Sequence, residues 1–150
     1  KLELQLNFMK KTNANFTFTS YEIINEQNIK IGERMAQSNI VYNQLINSCD
    51  IGLSTVLIKK KIFDEKEYRF PNLTTKEDYV LWLMLAKSGI KMIGINQNLT
   101  RWRKSNNSLS SSTLQKLVDG FRVYHTYMKF GVVKSLFYLA RLSLNFILKK

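Results

Sequence analysis

The stretch Thr74-Thr75-Lys76-Glu77-Asp78-Tyr79-Val80-Leu81-Trp82-Leu83-Met84-Leu85-Ala86 constrains this chain most. Two adjacent carboxylates open a run too apolar to lie on a surface. Thr74 stands three residues before Glu77, which is the spacing of a capping box. There the hydroxyl takes a free backbone N–H and the glutamate reaches back to the cap residue. Leu81, Trp82, Met84 and Leu85 predict a helix buried in a core, and Gly89 predicts its end. Such a helix presents an acidic pair from a rigid base, as positioned chemistry requires. The helix dipole alone also favours acidic residues in a first turn, by ~0.3–1 kcal/mol each. The two roles divide: Glu77 suits the cap, and Asp78 is left to point elsewhere.

Around this helix the pattern is that of an α/β domain. Residues 1–12 place Leu2, Leu6 and Met9 on one side of a short helix. Phe16-Thr17-Phe18-Thr19-Ser20-Tyr21 alternates as a half-buried strand does. Residues 22–31 predict a hairpin turning near Asn25-Glu26-Gln27-Asn28, and residues 33–47 a helix or a loop with a helical turn. Residues 51–58 predict a buried strand that includes Ser54 and Thr55, ended by Lys59-Lys60-Lys61. Residues 62–72, with the only proline, predict an exposed loop. After the central helix, residues 90–99 predict a further strand. Thr100-Arg101-Trp102-Arg103-Lys104 is a basic aromatic segment, and residues 105–113 are polar and expected to be mobile.

At 150 residues and 45% hydrophobic, the chain is one domain or part of one, with a real core. Its net charge of +12 suggests an anionic partner: a membrane surface, nucleic acid or a phosphorylated substrate. The abundance of Lys, Asn and Ile together tempers that signal. One cysteine excludes an internal disulfide, and one His with one Cys excludes a zinc site of the usual kind. No signal peptide is visible, and a start at Lys1 rather than Met reads as a fragment.

From Leu114 the pattern is helical and different in character. Residues 116–150 carry seven basic side chains against the single acid Asp119. Leu136, Phe137, Leu139, Leu142, Leu144, Phe146, Ile147 and Leu148 supply apolar surface. Lys134 and Arg141 interrupt the run, leaving it short of the ~20 apolar residues that span a bilayer. A basic, aromatic, amphipathic helix suits the membrane interface, and equally a helix packed on the protein itself or on a partner.

The order of strand, loop, Glu-Asp helix, strand and basic aromatic segment resembles the C-terminal half of family 2 glycosyltransferases. These are inverting, nucleotide-sugar-dependent enzymes of the GT-A type. Lys1-Leu2-Glu3-Leu4-Gln5 resembles the helix after that family's metal-binding Asp-x-Asp region. Residues 16–32 resemble its next strand pair, and Glu77-Asp78 with Leu81-Trp82 its Glu-Asp motif. Trp102-Arg103-Lys104-Ser105-Asn106-Asn107-Ser108-Leu109-Ser110 resembles its Tyr-Arg…Ser-x-Ser segment, with Trp for Tyr. The resemblance covers residues 1–111, an acceptor-side portion of a Rossmann-like fold with a mixed sheet. Residues 112–150 follow as a basic helical tail.

The resemblance implies roles. Asp78 is the general base toward the acceptor hydroxyl, and Glu77 supports it. Arg103 and Arg101, beside Trp102, neutralise the leaving diphosphate, since a guanidinium matches phosphate bidentately. Ser54 and Thr55 stand where the family lines its sugar or acceptor pocket. Read without the resemblance, the arginines are a solvated run, and Ser54 and Thr55 are strand filling. The Asp-x-Asp half is not in this sequence. The Mg2+ or Mn2+ of a complete enzyme is therefore expected to find its ligands mostly outside this chain, with no metal site within it. The chain alone is expected to be inactive, and exposed strand edges to invite self-association. The implied partners are a nucleotide-sugar donor, a glycan or lipid-linked acceptor, and a membrane surface met by residues 114–150. No nucleic acid is expected, and the setting implied is cytoplasmic, at the inner face of the cell membrane. Two other readings stand beside this one. A nucleic-acid-binding module rests on the charge and on Arg101-Trp102-Arg103-Lys104. A non-catalytic membrane-peripheral scaffold rests on the tail.

Overall fold

Phe16–Ile24 forms strand β1, the axis of the molecule. The structure, a computed structural model, describes residues 1–65, 68–105 and 112–148. Helix α1 (Leu2–Thr12) precedes β1, and strand β2 (Lys30–Arg34) returns along it as the hairpin partner. Helix α2 (Tyr42–Leu45), a 3-10 turn (Leu53–Thr55), strand β3 (Leu57–Ile58) and helix α3 (Lys61–Glu65) follow. Then come helix α4 (Glu77–Lys87) and strand β4 (Met92–Arg103). Helix α5 (Thr113–Arg122), a π-helical turn (Val123–Tyr127) and helix α6 (Val132–Leu148) end the chain. The sheet is mixed. β4 runs parallel to β1 along one edge. On the other edge β3 and β2 pair antiparallel with the two ends of β1. The α/β class and the mixed sheet expected from the sequence are both present.

β1 is more buried than its alternation suggests. Residues 16–20 are all buried, polar ones included. Phe16 meets Trp82 of α4 edge to face, with ring centroids 5.1 Å apart. Thr17 receives a hydrogen bond from Gln5 of α1, and the Ser20 hydroxyl accepts the Ala36 N–H at 2.8 Å. Partners for the hydroxyls let both faces of the strand be covered. α1 is correspondingly rotated from the expected face. Gln5 and Met9 are buried, whereas Leu2 and Leu6 are 60% and 48% exposed. The helix meets the Thr17 hydroxyl there, so an amide that also bonds the Thr55 carbonyl at 3.0 Å takes the inner position.

Three further expectations are corrected. Residues 51–58 are not one strand: the 3-10 turn interrupts them, held by the Thr55 hydroxyl donating to the Gly52 carbonyl at 2.7 Å. Residues 62–72 are not simply an exposed loop, since α3 opens them and Ile62 and Tyr68 are buried. The basic segment from Thr100 to Arg103 continues β4 rather than following it. The hairpin and the 33–47 segment, a loop with the short α2, are as expected.

The outer edge of β4 is crossed by residues 36–40, with Ile40 N–H bonding the Met92 carbonyl at 3.0 Å. At Gly94 this crossing leaves no room for a side chain. A β-carbon there would fall on the Gln37 carbonyl and 2.9 Å from the Phe18 ring. Gly94→Ala is expected to destabilise by about 1–3 kcal/mol, the usual cost of overpacking. Chemical denaturation of the variant checks this; an unchanged midpoint would mean the crossing is loose.

The core is built on α4, where Tyr79, Val80, Leu81, Trp82, Leu83 and Leu85 are all buried. Such all-round burial marks an interior helix. α4 ends where Gly89 takes the left-handed region at φ 89°. The segment after residue 112 is part of this core rather than an appendage. Val123, Tyr124, Met128 and Leu142 sit in the same cluster. The Tyr79 hydroxyl donates to the Leu45 carbonyl at 2.7 Å and touches that of Tyr124, which donates to the Ile46 carbonyl at 2.9 Å. Among the described residues, no helix is long and apolar enough to cross a membrane.

Candidate functional site

α4 starts differently from the capping box its sequence suggests. Thr74 is exposed, and the N-cap is Lys76, in the left-handed region at φ 64° and without a side-chain cap bond. The carboxylate that serves this turn comes from α5. Asp119 Oδ2 accepts the Thr75 N–H and the Thr75 hydroxyl, both at 2.9 Å. A carboxylate delivered by a neighbouring helix replaces the local hydroxyl, and its fuller charge makes the stronger acceptor.

Just inside the helix, Asp78 is half-buried. Its Oδ1 accepts the Tyr79 N–H at 2.7 Å, and among the described residues no side chain donates to the carboxylate. Burial raises its pKa above the ordinary aspartate value. The Tyr79 N–H opposes the rise, the Glu77 charge adds to it, and Lys76 opposes it. A carboxylate held by backbone alone, with a raised pKa, keeps a lone pair for an incoming proton. Glu77 is half-buried beside it.

Near Asp78 lies Tyr21 of β1, whose own surroundings come from β2 and from the loop at residues 48–52. Tyr21 of β1 lies within the fields of Arg34, Cys49, Asp50 and Asp78, and burial pushes its phenol up. Tyr21 and Arg34 are cross-strand partners, Gly52 packs on the Tyr21 ring, and the Ser48 hydroxyl donates to Asp50 at 2.8 Å. None of Tyr21, Arg34, Cys49 or Asp50 stands out in the sequence. They are scattered over β1, β2 and one loop, and are gathered only by the pairing of β1 with β2 and by the loop that leads to the 3-10 turn.

The other expected site residues divide. Arg101 pairs with Glu22 at 3.0 Å. Arg103 donates to the carbonyls of Asn25 and Glu26 and to the Asn28 side chain, the last at 2.8 Å. Both guanidiniums therefore strap β4 to the hairpin, on the face of β1 that carries Glu22. Strand alternation puts Trp102, the register partner of Ile23, on the opposite face, the one shared with Tyr21. Ser54 is exposed on the 3-10 turn, whereas Thr55 is buried and faces the fold. Asn106 to Ser110, the rest of the Ser/Asn segment, lie outside the described residues. An open polar hollow of about 370 Å3 lies among Glu22, Asn98, Leu99, Thr100 and Arg101. A second of about 290 Å3 lies at the other end of α4, by Tyr68, Met84 and Tyr127. Asp78 lines neither. Among the described residues no group of three or more His, Cys, Asp or Glu could hold a metal ion.

No protein-family model matches the chain. Curated proteins do. WfgD of Escherichia coli, a UDP-Glc:alpha-D-GlcNAc-diphosphoundecaprenol beta-1,3-glucosyltransferase, is 36% identical over 118 residues, which are 78% of this chain and 45% of WfgD. WfaP of Escherichia coli, of the same named activity, is 29% identical over 79% of this chain and 45% of its own length. TuaG of Bacillus subtilis, named for a glycosyltransferase of teichuronic acid biosynthesis, is 27% identical over the whole chain and 59% of TuaG. The relatives that this chain resembles are thus named glycosyltransferases. The kinship is consistent with the family 2 type that the Glu77-Asp78 and Trp102-Arg103 segments resemble. The chain spans about half the length of these curated relatives.

Proposed function

We propose that this chain is the acceptor-side part of an inverting, nucleotide-sugar-dependent glycosyltransferase, with Asp78 as general base. The observation that carries the reading is the Asp78 carboxylate, half-buried at the start of a buried helix and, among the described residues, bound by the Tyr79 backbone N–H with no side-chain donor. As the acceptor oxygen attacks the anomeric carbon, Asp78 takes its proton. The nucleoside diphosphate leaves from the opposite face, and configuration inverts. The relatives' names point to a UDP-sugar as donor and a diphosphate-linked lipid glycan as acceptor. Glu77 holds the field around Asp78. Arg101 and Arg103 would serve a diphosphate only by exchanging their present partners, Glu22 and the hairpin. Among the described residues no acidic cluster makes a divalent-ion site, so the Mg2+ or Mn2+ of the complete enzyme would be bound by other residues, and no step is assigned to it. These 150 residues alone are expected not to transfer sugar. The test is the product of the complete enzyme acting on a UDP-sugar and a lipid-diphosphate glycan. Inversion at the anomeric carbon, read by NMR coupling constants, is expected; retention would sink the mechanism.

A nucleic-acid-binding module is not favoured. Its relatives are glycosyltransferases, and the arginines it rests on are engaged with Glu22 and the hairpin. The setting proposed is the inner face of the cell membrane. α6 leaves Val133, Leu136, Phe137, Leu144 and Ile147 exposed at helical spacing, flanked by Lys134 and Arg141. An apolar stripe with basic flanks fits an anionic bilayer surface. Co-sedimentation with phosphatidylglycerol vesicles is expected, and Val133→Glu with Leu144→Glu is expected to abolish it. Equal binding by that double variant would remove α6 from the contact.

A further inference from the structure

We infer that Asp119 is the positioning residue that sets how α4 presents Asp78; the inference rests on Asp78 being the base. Asp119 lies on α5, 44 residues beyond Thr75, and has no exposed surface. Its Oδ2 gathers three donors at 2.9 Å: the Thr75 N–H, the Thr75 hydroxyl and the Gln115 side-chain amide. Its Oδ1 faces Arg122 at 3.6 Å. The next residue, Gly120, lies under the stem of Lys76: a β-carbon there would come 3.7 Å from Lys76 Cε. Asp119 thus holds Thr75, and the lack of a side chain at Gly120 leaves room for the Lys76 stem, directly ahead of Glu77 and Asp78.

The grip explains the backbone. Lys76 holds a left-handed conformation that L side chains rarely adopt, and such a conformation persists where the surroundings over-determine it. Here a carboxylate fixes the residue before, by its backbone N–H and its hydroxyl together. The Lys76 carbonyl then accepts the Val80 N–H at 3.1 Å and starts the helix. Burial would raise the Asp119 pKa, but the hydrogen bonds from Gln115 and Thr75 and the Arg122 charge outweigh it, and the carboxyl stays below its ordinary value. Its stabilisation is therefore complete above the ordinary carboxylate range and is lost only as pH falls through the lowered folded value. The clamp stays charged at any pH where Asp78, with its raised value, is an active base.

The test is made in the complete enzyme with two readouts, steady-state kinetics and hydrogen exchange at the amides of residues 75–79. Asp119→Ala is expected to lower kcat by about 10- to 100-fold, as a misplacement near 1 Å does. The donor KM should be unchanged and the Thr75 amide should exchange faster. Asp119→Asn keeps an acceptor oxygen for Thr75 and is expected to restore most of both. A folded Asp119→Ala with normal kcat and slow Thr75 exchange overturns the inference. Should Asp119→Ala fail to fold, Thr75→Val, which loses only the hydroxyl donor, takes its place; normal kcat and unchanged exchange there overturn it equally. If Asp78→Asn proves active, the base assignment falls by itself, and the exchange readout still judges the clamp.

Discussion

Replacing Asp78 by Asn in the complete enzyme is expected to lower kcat by about 10²–10⁴-fold, the usual contribution of a general base. The donor KM should hardly move, because Asp78 belongs to the acceptor's proton and not to the diphosphate. Asn keeps an oxygen to accept the Tyr79 N–H at the start of α4, so the helix should be unaffected. The raised pKa adds a check on folding. Burial makes ionised Asp78 less favourable in the folded than in the unfolded chain, so its charge is a small stability cost above the folded pKa. The variant is thus expected to unfold no lower than the parent at neutral pH. In the parent, kcat/KM should fall as pH drops through a value above that of an ordinary aspartate, since only the ionised form is a base. Near-normal turnover of Asp78→Asn, or an acid limb that survives it, removes Asp78 from the mechanism.

Ending the chain after Ser112 is expected to abolish cooperative unfolding. Removal of α5, the π-helical turn and α6 would strip Val123, Tyr124, Met128 and Leu142 from the core and take Asp119 from Thr75. A single substitution samples the same effect. Tyr124→Ala empties a wholly buried site and leaves the Ile46 carbonyl without its donor. Aromatic truncation in a core costs about 3–5 kcal/mol. Against a typical stability of about 5–15 kcal/mol, the loss would be a large share of the whole. Thermal unfolding of the variant measures it. A shortened chain that melts cooperatively near the parent temperature would show the helices to be dispensable.

What can be read in a sequence is local, and the local features here were legible. α4 is visible because an unbroken apolar run bounded by Glu77-Asp78 and Gly89 has few other solutions. β1 is visible from Phe16, Phe18 and Tyr21, and its hairpin from the asparagines at 25 and 28. The order of these segments also carried the family resemblance that the relatives bear out. Errors appeared where a neighbour overrode a local rule. Leu2 and Leu6 gave way to Gln5 because at that point α1 meets the Thr17 hydroxyl and the Thr55 carbonyl. Thr74 lost the cap because a charged acceptor reached Thr75 from α5.

The sequence by itself determined the class of fold, the buried helix and the acidic pair at its mouth, since periodicity and adjacency need no partner to be seen. Only the tertiary structure decided which groups surround Asp78, that Arg101 and Arg103 tie down the hairpin, and that the last helices clamp the start of α4. Those facts depend on residues far apart in the chain, up to 79 positions, meeting through sheet pairing and helix docking. No spacing along the chain encodes such meetings.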